Sequence, residues 1–291
     1  MIQKTASQYF KEKFGCKVYK LSLDGGMTCP NRDGSIGRGG CIFCLGGSGE
    51  FAQAQSESIS QQIEQAKARV SAKLKEGKYI AYFQSYTNTY APIEYLERIF
   101  TQAIEPDDIV ALSVATRPDC LGDEVIGLLA RLNKIKPVFV ELGLQTADDR
   151  VAEFIRRGYE TALYDEAVKR LTAAGLEVIA HMIIGLPGED LSSAAATARH
   201  IAESGARGIK FHLLHILRGT DMEKEYLEGR YTPLTLLEYT EILKVCIARL
   251  PHDMVIHRLT GDGAKKDLVA PLWSADKKRV LNHIKKELDI C

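Results

Sequence analysis

The stretch LSLDGGMTCPNRDGSIGRGGCIFC, residues 21–44, runs from an alternating apolar strand pattern into a glycine-rich segment carrying three cysteines. Nine of the chain's 24 glycines fall between Gly25 and Gly49, so the segment reads as a long loop whose backbone can approach a bound group. Loops of this length inside a compact domain usually have a function. Cys29, Cys41 and Cys44 are spaced C-x11-C-x2-C. The close pair suits chelation of one inorganic centre, and Gly34, Gly37, Gly39 and Gly40 give the chain freedom to bring Cys29 to it. A structural zinc site is closed by four Cys or His ligands, whereas an iron-sulfur cluster on three cysteines keeps one iron for an external ligand. Cys16 would complete a zinc set, so a non-catalytic zinc or iron-sulfur module stays open on spacing alone.

On either side of this loop the chain alternates β-rich and amphipathic stretches. Strands are predicted at Lys17–Asp24, Tyr79–Ser85, Ile109–Ala115, Val138–Leu144, Leu176–Ile184 and Gly208–Leu214. Between them, Ile59, Ile63, Ala66, Val70 and Leu74 lie at helical spacing, and helices fit Pro92–Ile104, Asp123–Leu132, Thr161–Ala174 and Leu191–Ser204. Such alternation implies parallel strands with right-handed crossovers. No G-x-G-x-x-G follows the first strand, which argues against a dinucleotide fold. The expected fold is α/β, a partial (β/α)6 TIM-type barrel of parallel strands with a C-terminal helical extension. Its divisions are a basic N-terminal segment 1–16, the barrel 17–234, and an extension 235–291 packed on the barrel. The extension is expected to hold a helix at Leu236–Leu250, a short apolar stretch at Met254–Leu259 and a closing helix near Ala275–Leu288. The cysteine loop leaves the C-terminal end of the first strand, the end on which barrels build their active sites.

Lys plus Arg and Asp plus Glu both total 38 among 291 residues, so no global field draws the chain to nucleic acid or an anionic membrane. Its composition, 45% hydrophobic and 26% charged, is that of a globular protein. The chain has no apolar run of ~18 residues and no signal-like start, so no membrane association and a cytoplasmic location are expected. The seven cysteines are odd in number and unevenly placed, which favours reduced thiols or metal ligands over disulfides.

Taken together, the quoted stretch, YFQSYTNTYAP, SVATRPDC, ELGLQT, HMIIGLPGE, KFHLLHIL, HRLTGDG and LVAPLW resemble the radical S-adenosylmethionine (SAM) superfamily. They are most similar to its YhcC/YtqA group, relatives of the radical SAM core of the elongator catalytic subunit. The resemblance implies a [4Fe-4S] cluster on Cys29, Cys41 and Cys44, with SAM chelating the fourth iron. It further implies reductive cleavage of SAM to a 5′-deoxyadenosyl radical that takes a hydrogen atom from the substrate. Phe43 and Leu45 are implied near the adenine. The superfamily's usual Gly-Gly-Glu is replaced by Gln84, Ser85 and Tyr86, so the resemblance implies that this segment binds the SAM amino group through backbone carbonyls. Ser113, Thr116, Glu141 and Gln145 are expected toward the ribose and the methionine carboxylate, with Arg156 or Arg157, preferably Arg157, pairing with that carboxylate. Ile183 and Leu186 are expected to pack on the adenine. His212 is expected among the cofactor-binding residues, and with His181, Lys210 and His215 it is expected to face the barrel interior and its ligands.

The resemblance points to tRNA wobble uridine, specifically conversion of 5-carboxymethylaminomethyl-(2-thio)uridine to 5-aminomethyl-(2-thio)uridine. Lys210, His257 or Arg258 is then expected to hold the substrate carboxylate. Basic residues at both ends (Lys4, Lys11, Lys13, Lys17 and Lys20; Lys277, Lys278, Arg279, Lys285 and Lys286), with Tyr9, Phe10 or Trp273, are expected to contact RNA. A reducing donor such as flavodoxin or ferredoxin is implied. A radical SAM enzyme for a small metabolite, or for another RNA position, is the alternative.

Overall fold

Period-two alternation along the strands sorts their side chains onto two faces, and both faces are covered. The structure, a computed structural model, describes residues 3–45, 58–71, 77–261, 263 and 265–288. Leu74, Gly49 and Cys291 lie outside the described residues. The strands are β1 (Val18–Leu23), β2 (Lys78–Phe83), β3 (Ile109–Thr116), β4 (Val138–Gln145), β5 (Glu177–Ile184), β6 (Gly208–Leu213), β7 (Ile216–Leu217), β8 (Val255–Arg258) and β9 (Leu268–Ala270). Seven of them form one parallel sheet in the order β1-β2-β3-β4-β5-β6-β8, a partial TIM-type barrel, while β7 and β9 pair antiparallel.

The helices are α1 (Ala6–Phe14), α2 (Pro30–Asp33), α3 (Ile59–Val70), α4 (Ile93–Ile104), α5 (Asp123–Asn133), α6 (Asp149–Phe154), α7 (Thr161–Ala173), α8 (Leu191–Glu203), α9 (Asp221–Leu227), α10 (Leu236–Ile247) and α11 (Lys277–Glu287). Thr5, Ser58, Asp190 and Thr235 each start a helix with a capping box, the side chain accepting from a backbone N–H that the helix leaves unpaired. The outer strand face, including Leu21, Phe83, Leu112, Val140, Ala180 and Phe211, packs with apolar residues of α3, α4, α5, α7, α8 and α10.

Two findings extend the sequence reading. Six strands were expected, but Met254–Leu259 supplies a seventh, β8, hydrogen-bonded to β6. A four-residue strand in a tail that otherwise reads as helical gives little periodicity to detect. The second concerns α1. Phe10 is buried with Ile80, Ala111, Phe139 and Ile179 on the inner strand face, its ring 5.5 Å from that of Phe139 and 5.6 Å from that of His257. Thr5 also bridges to Ile256 of β8. Helix α1 therefore plugs the end of the barrel opposite the cysteine loop.

Of the N-terminal residues expected to contact RNA, Lys4, Lys11 and Lys17 are exposed, and the others are engaged by the protein itself. Phe10 is core, Tyr9 donates to Glu177 at 2.5 Å, Lys4 and Lys13 pair with Glu12 and Glu177, and Lys20 points into the barrel. Trp273 packs against the main core and donates to the Leu234 carbonyl at 2.9 Å. No described helix is long and apolar enough to cross a membrane.

If α1 is a plug, Phe10→Ala leaves a cavity at the barrel base and costs about 3–5 kcal/mol. Lys11→Ala, on the exposed side of the same helix, stays within about 0.5 kcal/mol. Urea unfolding midpoints of the two variants test this; equal midpoints would show that the helix does not seal the barrel.

Candidate active site

The cysteine loop and the strained backbone positions gather at the C-terminal mouth of the sheet. Among the described residues, the three non-glycine positions with positive φ are Tyr86 (60°) after β2, Gln145 (65°) at the end of β4, and Arg156 (57°) beyond α6. Such conformations are costly for residues with a Cβ and gather where a site imposes them.

Local contacts draw the two halves of the cysteine loop together. Cys29 caps the single turn α2, and its carbonyl accepts from Arg32 and Asp33 at 2.8 and 3.2 Å. Cys41 and Cys44 form a tight turn closed by a 2.9 Å bond from the Cys44 N–H to the Cys41 carbonyl. Asn31, only 5% exposed, joins them: its carbonyl accepts from Gly40 at 2.8 Å, and its side-chain amide reaches the Cys41 sulfur at 3.6 Å and the Arg156 carbonyl. Arg32 donates to the Cys44 carbonyl at 3.1 Å. Two glycines are required here, since a Cβ on Gly37 would lie 2.4 Å from the Asn31 side-chain oxygen, and one on Gly40 would lie 2.8 Å from the Arg32 guanidinium. Burial, and then the nearby Cys44 and Cys29, push the Cys41 thiol up to about 11, so the three thiols are electrostatic neighbours.

Three half-buried cysteines in one loop are a donor set suited to an iron-sulfur cluster. A structural zinc site takes four Cys or His ligands, whereas a cluster held by three thiolates keeps one iron for an external ligand, and this loop supplies three thiols.

Beneath the mouth lies a charged layer. Glu141, with a side chain 0% exposed, pairs with Lys20 and Lys210, accepts from Ser113 at 2.7 Å and meets His181 Nε2 at 2.8 Å. The two ammonium groups lie 4.7 and 4.5 Å from the Tyr82 ring centroid. Burial pushes the Glu141 carboxyl up, but Lys20, Lys210 and the His181 bond outweigh it and hold the group well below the usual carboxylate range. Burial drives His181 down to about 4 and Lys210 down to about 7, the latter against the pull of Glu141. His181 is therefore neutral at pH 7.

The remaining predicted residues fall into two sets. Phe43 and Ile183 pack against a cluster containing Leu186, Ile42 and Leu214, so the apolar residues implied for the adenine do meet. Leu45, 37% exposed, lies beside them near Gly219. Gln84 donates to Ser22 at 2.8 Å, and the Ser85 carbonyl accepts from Asn88 at 2.8 Å. Thr116 bonds to Thr89, and Gln145 accepts from Tyr159 at 3.3 Å. His212 lies with its ring 5.0 Å from that of His181.

Protein groups occupy the polar atoms of several of these residues. The five N–H donors of Arg157 go to the carbonyls of Leu144, Thr146 and Tyr159 and to the side chains of Asp149 and Thr161. No donor is left there for the expected carboxylate pairing. Arg157 instead clamps the loop after β4, and Arg156 pairs with Asp221. Ser113 and Glu141 are likewise engaged with each other. The sequence reading did not assign roles to Asn31, Arg32 and Tyr159. Tyr159 lies between Arg117 and Arg157, whose guanidinium carbons are 4.8 and 4.6 Å from its ring centroid. Only the Tyr and Arg clustering of RRGY with TRPD hinted at it.

A parallel partial barrel with three thiols in the loop after its first strand has the architecture of the enzymes that use SAM and an iron-sulfur cluster for radical chemistry. The chain belongs to the radical SAM superfamily: that family matches residues 32–201, and the Radical_SAM C-terminal domain matches residues 206–289. It is therefore a radical SAM enzyme, with a [4Fe-4S] cluster and SAM as cofactors. The chain is 44% identical to YtqA of Bacillus subtilis over 98% of its length and 89% of that protein. It is 40% identical to YhcC of Escherichia coli K12 over 91% of its length and 85% of that protein. Over 53% of its length, and 28% of the relative, it is 28% identical to a tRNA uridine(34) acetyltransferase of Methanocaldococcus jannaschii. Its fold matches the Elp3 structure of Methanocaldococcus infernus with a TM-score of 0.68 at 17% identity, covering 93% of this chain and 63% of that one.

Glu141→Gln leaves the buried Lys210 and the partly buried Lys20 without their counter-charge and is expected to cost about 3–5 kcal/mol. The folded-state pKa of Glu141 lies below its unfolded value, so its contribution is present above about pH 4.3 and fades as pH falls through the folded value. Unfolding curves should therefore show the largest gap between wild type and variant near neutral pH and convergence in acid. A constant gap would place the stabilisation elsewhere.

Proposed function

We propose that the protein acts in the cytoplasm on tRNA, converting 5-carboxymethylaminomethyl-(2-thio)uridine at the wobble position to 5-aminomethyl-(2-thio)uridine. The observation that carries this reading is the charge balance of the barrel interior. Among the described residues Lys20 and Lys210 both pair with one carboxylate, Glu141, and Arg258 stands in register with Lys210 and bears on its charge. A dry site with surplus positive charge favours a substrate that brings its own anion. The relative named for uridine 34 of tRNA supports the RNA part of the reading, as does the exposed basic face of α11 formed by Lys278, Arg279, Lys285 and Lys286. A base must leave its stack to enter the mouth of a barrel.

When bound, the cluster and SAM supply abstraction of a hydrogen atom. Removing one from the methylene between nitrogen and carboxylate, followed by one electron and one proton, converts the secondary amine to an imine. Water then splits the imine into the aminomethyl group and glyoxylate. The electron returns to the flavodoxin- or ferredoxin-like carrier that delivered the first one. The protein's own contribution is orientation and exclusion of water.

Anaerobically reconstituted enzyme, given a reductant, SAM and tRNA bearing the carboxymethylaminomethyl group, should release glyoxylate and 5-aminomethyluridine in equal amounts. Cys41→Ala should lose the iron-sulfur absorbance together with both products. Unchanged tRNA nucleosides alongside SAM cleavage that needs no RNA would refute the wobble-uridine reading in favour of a small-molecule substrate.

A further inference from the structure

The sequence left three residues as candidates for holding a substrate carboxylate, and the structure separates them. Lys210 is only 4% exposed, and its ammonium is engaged by Glu141 and by the Tyr82 hydroxyl at 3.2 Å. His257 lies toward the plugged end, its ring 5.6 Å from that of Phe10 and 6.4 Å from that of Tyr9. Neither has a charged donor to offer a ligand entering from the mouth.

Arg258 differs from both. It stands at the C-terminal end of β8, in register with Lys210 on the neighbouring strand. It is close enough to Tyr82, His181, Lys210 and His212 to bear on the charge state of each. Lys20 and Lys210 share Glu141, but no described acceptor lies within hydrogen-bond or ion-pair distance of the Arg258 guanidinium. On β6, two residues beyond Lys210, His212 turns a buried Nε2 toward no hydrogen-bond partner among the described residues. A buried polar atom without a partner is costly, and so is a half-buried guanidinium without an anion. Both costs fall if one anion sits between them. Burial, reinforced by His181 and Arg258, holds His212 far below the usual imidazole range, so the ring is neutral and can donate one N–H. Gly261, just past β8, keeps the backbone close to His212, since a Cβ there would lie 3.3 Å from His212 Nδ1.

We propose that Arg258 and His212 form a carboxylate-binding subsite inside the barrel, and that this subsite selects substrates bearing a carboxymethylamino group over those lacking the carboxylate. The planar guanidinium offers two parallel N–H bonds to the two carboxylate oxygens, and His212 offers a third donor. A site built this way discriminates strongly, because an analogue without the carboxylate leaves both side chains unpaired again. Seated there, the carboxylate fixes its neighbouring methylene with respect to the mouth, where the three cysteines stand.

The subsite rests on the carboxylate-bearing substrate of the preceding reading, and carboxylates come from two sources, the substrate and the methionyl part of SAM. Holoenzyme with SAM bound is titrated by calorimetry with 5-carboxymethylaminomethyluridine and with 5-aminomethyluridine, and SAM affinity is measured separately. Wild type should favour the carboxylate-bearing nucleoside by at least about tenfold. Arg258→Gln should lose that preference and Arg258→Lys should keep part of it, with SAM affinity within about twofold of wild type in both, which also reports an intact fold. An unchanged preference in Arg258→Gln would overturn the proposal. So would a loss of SAM affinity with the preference retained, which assigns Arg258 to the cofactor. A parallel arm compares thermal stabilisation of the holoenzyme by acetate and by acetamide. If no modified tRNA is ever converted but acetate still stabilises wild type and not Arg258→Gln, the wobble-uridine reading fails and the anion subsite stands. If tRNA is converted by wild type and Arg258→Gln keeps its preference for the carboxylate, the reverse holds.

Discussion

The interior of this barrel is organised by one carboxylate that takes more partners than it can neutralise. Glu141 collects Lys20 from β1, Lys210 from β6, Ser113 from β3 and His181 from β5, so four strands meet through a single side chain. In a dry interior the desolvation of three ionised groups is repaid only when the hydrogen bonds are saturated. The apolar layer below, closed by Phe10, Ile80, Phe139 and Ile179, keeps water from entering at the base. The ion layer depends on that plug as much as on its own pairing. Lys20 balances this anion, so the half-titrated Lys210 and the neighbouring Arg258 leave the layer positive, which sets the kind of ligand the space above it receives.

The cysteine loop is held by different means. Regular hydrogen bonding is sparse in it, and its shape comes from a few polar side chains inserted between backbone turns: Asn31 spanning Gly40, Cys41 and Arg156, and Arg32 reaching the Cys44 carbonyl. The Arg156 carbonyl belongs to a positive-φ residue directly before the fully engaged Arg157. A contact chain thus runs from the Cys41 sulfur through Asn31 to the loop after β4 that Arg157 clamps. Strain at Tyr86, Gln145 and Arg156 is tolerated because each lies beside such a clamp or at a strand end where the sheet fixes the backbone.

Much of the fold was legible in the sequence because strand and helix periods are strong signals over eight or more residues. Ile109–Thr116 and Leu191–Glu203 fall almost where their patterns place them. The three cysteines were equally plain, since thiols gathered in a glycine-rich loop at a strand end suit a bound inorganic centre far better than a packed core. Short elements escaped: α2, α6, α9 and β7–β9 are each too brief to show a period. Partners escaped for a different reason. Lys20 looks like one more surface lysine beside Lys13 and Lys17, and only the register of β1 against β2 turns it inward. Arg157 was placed near the right loop, but whether its five donors face a ligand or the protein is a matter of geometry that residue type does not encode.

The seventh strand shows how these levels combine. Read as sequence, residues 255–258 belong to an extension outside the barrel. In the structure β8 covers the edge of β6, where Lys210 and His212 would otherwise face an open side of the sheet. Covering that edge satisfies backbone groups of β6 that a sheet margin leaves unpaired, and it removes solvent from the two polar side chains. The same pairing sets Arg258 level with Lys210, adding a third basic residue to the layer in which the described residues place one carboxylate, Glu141. The last strand of the sheet and one of the site's cations therefore come from the same four residues, and the C-terminal segment is as much a wall of the site as the strands that precede it.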